Sequence, residues 1–250
     1  MSIERSDRIE RMRRVEQVIG DDNSVPVAIL KSALQQSSSV GLIVDGTPTN
    51  QPLGTGVIIG DGLLLTNYHV LPDPDQAASA RIRFNYDELD SVVDEYQLDP
   101  STWISSPYRE PEDGGVDEAH LDFSLLAVHA NDQGTPIQRW GRTELSVDPS
   151  SIGPGDDVFI VQHPRGEPKR VSMVHNEIVA TTDHCILYTS DTDYGSSGSP
   201  VCDYLWVMVA LHHARTSTEV DGAMREANEA IRLSSILAAL DPITRDRLLA

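Results

Sequence analysis

At 250 residues and 39% hydrophobic content, the chain is long enough for one large all-β unit or two small domains with a sizeable core. Its formal net charge of −20 argues against nucleic-acid binding, since neutralising phosphates needs a basic surface, and it disfavours anionic membranes as partners. No apolar run reaches the roughly 18 residues that would cross a bilayer.

Met1 to Gly20 carries neither the apolar segment nor the small-residue cleavage site of a secretory signal. Arg5, Arg8, Arg11, Arg13 and Arg14 interleave with Glu4, Asp7 and Glu10, which argues against a transit peptide. Read as it stands, the chain is expected in the cytoplasm. Cys185 and Cys202, each in an apolar run, fit buried free thiols in that setting. Ile9, Met12, Val15, Val18 and Ile19 recur at helical spacing and predict an amphipathic helix over 3–19. Asp21 to Ser24 ends it. Pro26 opens a second helix, with Ser24 as its cap and Leu30 and Leu34 on one face.

From Val40 the pattern changes to short apolar runs divided by Gly, Asp, Asn and Pro, which predicts strands. These are Val40–Val44, Thr55–Ile59, Leu63–Thr66, Ala80–Asn85, Phe123–Val128, Asp157–Gln162, Val171–Ala180, Cys185–Thr189 and Leu205–His212. Gly60-Asp61-Gly62 marks a hairpin turn. Residues 86–119 are acidic, rich in loop formers and expected to be the most mobile part of the strand region. Residues 130–154 read as the connection between two β units. Ile236, Leu237, Leu240, Leu248 and Leu249 predict a C-terminal helix interrupted near Pro242. The expected division is a helical segment 1–38, β units 39–140 and 141–233, and a helix 234–250. Strand signals alone do not separate barrels from a sandwich.

Three motifs carry chemistry. Tyr194-Gly195-Ser196-Ser197-Gly198-Ser199-Pro200 sets a serine among glycines, His69 closes an apolar run, and Asp122 opens another. A serine hydroxyl attacks poorly unaided, so it needs a base within hydrogen-bond reach, and that base needs an acceptor on its far nitrogen. Each motif alone has an ordinary structural use as a turn, a strand end or a cap; together they supply nucleophile, base and orienter. Asp117 ranks below Asp122 because no apolar strand follows it, and His163 reads as a loop residue. His212 and His213 invite a metal, but adjacent strand side chains face opposite ways and no Cys or carboxylate spacing completes a site. Neither a metal nor a cofactor is expected.

Gly54-Thr55-Gly56-Val57 through His69, with Gly195 to Pro200, resembles the trypsin-like serine peptidases over residues 40 to 235, and within them the bacterial branch that includes V8-like glutamyl endopeptidases. The resemblance implies a mainly β fold of two six-stranded antiparallel barrels, chymotrypsin-like, with N-terminal helices and a C-terminal helix. It implies a His69, Asp122, Ser197 triad and an oxyanion hole from the backbone N–H groups of Gly195 and Ser197. Digestive relatives pair a new N-terminus with an aspartate before the serine; here that position is Ser196, so the chain departs from the zymogen type. The primary pocket receives two conflicting signals. Asp191 matches the position where an aspartate selects Lys or Arg. Thr192 and His212 resemble the pair that holds an acidic side chain in glutamyl endopeptidases, and cleavage after Glu or Asp is the favoured reading. The substrate would be a protein or peptide. By analogy with bacterial effector proteases, a regulatory protein partner is expected. The rival is a catalytically silent module that grips peptides or partners.

Overall fold

The structure is a computed structural model that describes residues 26–113, 115–148, 150–220 and 222–249. The helix expected over 3–19 lies outside the described residues. Six strands form the first unit: β1 Val40–Val44, β2 Pro52–Ile59, β3 Leu63–Thr66, β4 Arg81–Phe84, β5 Asp94–Ser106 and β6 Phe123–Val128. They close into a barrel in the order β1-β2-β3-β6-β5-β4. Alternate residues point inward, so Ile43, Ile58, Leu64, Ile82, Phe84, Tyr96 and Leu126 fill the barrel. Helix α1, Ala28–Ser38, precedes β1, and the short helix α2, Pro74–Ser79, follows the β3 turn with Asp73 capping it by accepting from Gln76 N–H.

The second unit differs from the expectation of a second six-stranded closed barrel. It is a seven-stranded antiparallel sheet in the order β8-β7-β11-β12-β13-β10-β9. Its strands are β7 Phe159–Gln162, β8 Arg170–Ser172, β9 Ile178–Thr181, β10 Cys185–Tyr188, β11 Pro200–Cys202, β12 Met208–Val220 and β13 Ala223–Arg232. The run expected as one strand over Val171–Ala180 is two, β8 and β9, separated by a turn in which His175 takes a left-handed conformation (φ 58°). An isolated antiparallel bridge, Asp157 to Glu177, joins the segment before β7 to the start of β9, with Val158 N–H to Asn176 O and Ile178 N–H to Asp156 O.

The two units meet along an apolar seam. Val57, Leu65 and Leu125 of the first pack with Val161, Leu187, Leu211 and Ile231 of the second, and α3 Leu233–Ala239 adds Leu233, Ile236 and Leu237. At about 1.5–3 kcal/mol per fully buried Leu, Ile or Val, this seam outweighs the few hydrogen bonds that cross it. After α3 the helix ends at an extended Leu240 and a second helix, α4 Pro242–Leu249, begins, as the proline predicts. Among the described residues no helix is long and apolar enough to cross a membrane.

Two local expectations change. Leu30 and Leu34 of α1 are exposed, and the buried face carries Ile29, Ala33 and Gln36 instead. Gln36 Nε2 donates to Thr143 Oγ1 at 2.9 Å, docking the helix on the inter-unit connection. Residues 86–119 are not loop throughout, because β5 runs through them and pairs with both β4 and β6.

Candidate active site

His69 follows β3 on a turn in which Val70 and Leu71 are buried and both donate backbone N–H to Asn67 O. The same Asn67 donates its side-chain amide to the Asp122 carbonyl at 2.9 Å. Asp122 precedes β6, is fully buried, and sits at φ 44°, a left-handed conformation that carries strain for a residue other than glycine. That conformation aims the carboxylate at His69. Oδ1 accepts from the His69 backbone N–H at 3.0 Å and Oδ2 faces His69 Nδ1 at 2.8 Å. Burial alone would raise the Asp122 pKa, but hydrogen bonds from His213 and His69 prevail and hold it below the ordinary value. Asp117, the weaker candidate, is tied at the surface to Arg109 and His120.

Ser197 lies between Gly195 (φ 87°) and Gly198 (φ 86°) in the connection from β10 to β11. Thr55, buried in β2, anchors this loop to the first barrel. Its N–H donates to Ser197 O at 2.8 Å and its hydroxyl to Gly195 O at 2.8 Å. A Cβ on Gly198 would lie 2.4 Å from Thr66 Oγ1, at the end of the strand that leads to His69, so the serine loop packs directly on the histidine's support. Among the described residues no hydrogen bond joins the Ser197 hydroxyl to the His69 ring; such bonds often tighten only when substrate is in place.

The two backbone donors expected for an oxyanion are free of protein acceptors among the described residues. Arg165, held left-handed at φ 59°, donates its N–H to Tyr194 O at 2.6 Å. In a trans peptide the N–H points opposite the carbonyl, so this bond turns the Gly195 N–H to the other side. The Arg165 guanidinium also bonds Asp193 and Glu167, tying the 163–167 turn to the segment before the nucleophile. A side chain at position 195 would meet His163 O at 2.7 Å, which explains the glycine. Ser196, where zymogens carry aspartate, is buried and accepts from Asp193 N–H.

A cavity of about 460 Å³ is lined in part by Tyr188, Asp191, Thr192, Arg215, Glu226 and Asn228. Asp191 is exposed at it, Thr192 donates to Asn228 Oδ1 at 2.8 Å, and Arg215 pairs with Glu226. His212 does not line the cavity; it reaches it through Tyr188, whose hydroxyl lies 2.8 Å from His212 Nδ1. Burial pushes the Tyr188 phenol up, while burial, with His213 and His69 nearby, pushes His212 down to about 3.

Sequence reasoning missed Arg165, Tyr188 and Asn228, and named Thr55 and His213 without the contacts they make here. Only Thr55 had a local signal, its position between two glycines beside the histidine strand. His163, read as a loop residue, is buried and stacked on Tyr86, with burial pushing its pKa down to about 4.

A model of the trypsin-like peptidase domain matches residues 54–211, a span that holds His69, Asp122 and Ser197. The chain belongs to that family. It is 34% identical over 212 residues to the uncharacterized protein y4fB of Sinorhizobium fredii, covering 80% of this chain and 31% of that one. It is 23% identical over 271 residues to the mouse (Mus musculus) serine protease FAM111A, covering 88% and 40%. The chain thus spans well under half the length of these two relatives. Among solved structures it is similar to Deg5, with a TM-score of 0.57 at 16% identity over 87% of this chain and 95% of that one. The HtrA-type protease AlgW with a decapeptide gives a TM-score of 0.53 at 17% identity over 85% and 66%. Both likenesses speak to the fold.

Proposed function

We propose that this trypsin-like peptidase is an active serine endopeptidase. Ser197 Oγ bonds to a peptide carbonyl carbon while His69 Nε2 takes its proton; the C–N bond then breaks as His69 returns that proton to the leaving amine. Water, deprotonated by His69, releases the acyl group and restores Ser197. Asp122 holds the ring and stabilises the imidazolium, and the Gly195 and Ser197 N–H groups receive the oxyanion. The observation that carries the reading is the buried Asp122 carboxylate 2.8 Å from His69 Nδ1, with the base on the strand end against which the serine loop packs.

For the residue before the cut we favour Glu or Asp, the preference of V8-like relatives. Thr192 lines the cavity, and the buried His212 reaches it through the Tyr188 hydroxyl. Asp191 supports the second reading, Arg or Lys, but its carboxylate is exposed and therefore screened by water. A cytoplasmic home and a regulatory partner belong to the same proposal, in keeping with two buried cysteines that form no disulfide. A bacterial source accords with the Sinorhizobium relative.

Cleavage profiling on a peptide library tests this. Cuts after Glu and Asp are expected, absent in Ser197→Ala and weakened in His212→Ala. Dominant cuts after Arg, abolished by Asp191→Ser but not by His212→Ala, would reverse the specificity. Binding without any cleavage would favour the silent peptide-gripping module.

A further inference from the structure

His213 is buried and stands where β12 bulges, with the register against β13 shifting between His212 and Ala214. The bulge sets the two histidines on different partners: His212 on Tyr188, His213 on Asp122. His213 Nδ1 is 3.0 Å from Asp122 Oδ2, the same oxygen that faces His69 Nδ1, and His213 Nε2 is 2.8 Å from Glu229 Oε1 on β13. Both ring nitrogens thus face carboxylate oxygens, which only accept when ionised, so the ring satisfies both contacts only with a proton on each.

We propose that His213 is a resident imidazolium that shares Asp122 with His69 and holds that carboxylate in place for the base. The inference rests on the reading of His69 and Ser197 as base and nucleophile. The groups facing His213 are Asp122, Glu229 and, across the shared carboxylate, His69. Tyr108 lies with its ring centroid 5.9 Å away and bonds Glu110, and His212 adjoins it on the strand. Burial alone would drive the His213 proton off, but the bonds to Asp122 and Glu229 prevail and raise its pKa to about 9. The charge is therefore present at neutral pH and lost only as pH rises through that value.

The imidazolium places a second, charged donor on the buried Asp122 carboxylate. It holds the carboxylate through Oδ2, the same oxygen that faces His69 Nδ1. In this role His213 is a positioning residue, since it touches neither substrate nor the reacting atoms.

Two measurements test this. Nitrogen-edited NMR of the full-length protein at neutral pH should show ring N–H protons on both nitrogens of His213; a bare nitrogen would overturn the inference. In His213→Gln, kcat should fall at least about tenfold with KM little changed, the scale of losing one hydrogen bond to a charged group. An unchanged kcat in the folded variant would overturn the inference just as well. Failure of the endopeptidase reading looks different: neither protein cleaves peptides, while the two ring N–H signals persist.

Discussion

Asp122→Asn is expected to lower kcat about 10⁴-fold while leaving the fold in place, the size of loss seen when a triad carboxylate becomes an amide. The geometry explains why the loss should be large. The Asp122 carboxylate accepts from the His69 backbone, the His69 ring and the His213 ring, so it faces three contacts that all need an acceptor. An asparagine offers one oxygen and one NH₂. Whichever way the amide turns, a donor meets a donor or a histidine changes tautomer, and His69 is then no longer held with its base nitrogen toward Ser197. Steady-state kinetics on a cleaved peptide check this, with thermal unfolding as a control. A loss below tenfold in a folded variant would show that Asp122 does not orient the base.

The second large effect concerns stability. Gly198→Ala should cost more than about 4 kcal/mol, in the range reserved for backbone strain or severe core disruption. Position 198 combines φ 86° with a site where a Cβ would lie 2.0 Å from Thr55 O and 2.4 Å from Thr66 Oγ1. The Thr55 oxygen is backbone in a buried strand, and the loop is held there by bonds from Gly198 N–H to His212 O and from Thr55 N–H to Ser197 O. Nothing at the contact yields easily. Gly134→Ala separates the two causes, because position 134 has φ 76° with open space around it. That variant should lose only about 1–2 kcal/mol, the cost of the left-handed conformation alone. Chemical denaturation of both variants decides the matter, and equal losses would mean that the Thr55 contact relaxes.

The parts legible in the sequence were those whose cause is local. The strand pair β2–β3 announces itself through two apolar runs around Gly60-Asp61-Gly62, and the position of His69 follows from where the second run ends. The break at Pro242 is likewise a local property of proline. β5 was hidden because its thirteen residues bury only Tyr96, Leu98 and Ser106, and its register slips between Asp99 and Ile104, so no clean alternation survives. β13 was hidden for a related reason: its first four residues are exposed in a hairpin with β12, and polar residues there look like loop. Pairing partners, not the residues themselves, make these segments strands.

The site divides along the same line. His69, Asp122 and Ser197 each sit in a recognisable local motif, whereas His213 acquires its role from a bulge that periodicity cannot foresee. Reading adjacent His212 and His213 as side chains on opposite faces of a regular strand therefore overlooked the contact with Asp122. Tyr188 and Asn228 belong to β10 and β13, and reach the cavity only once those strands pair in register, Tyr188 opposite Asn228.

Covalent labelling with a fluorophosphonate tests whether Ser197 is an activated nucleophile without knowledge of the natural substrate. Intact-mass and peptide mass spectrometry should find one adduct, on the peptide containing Ser197, absent from Ser197→Ala and strongly reduced in His69→Ala. An unlabelled wild-type protein, or a Ser197→Ala variant that labels as well as wild type, would contradict the account.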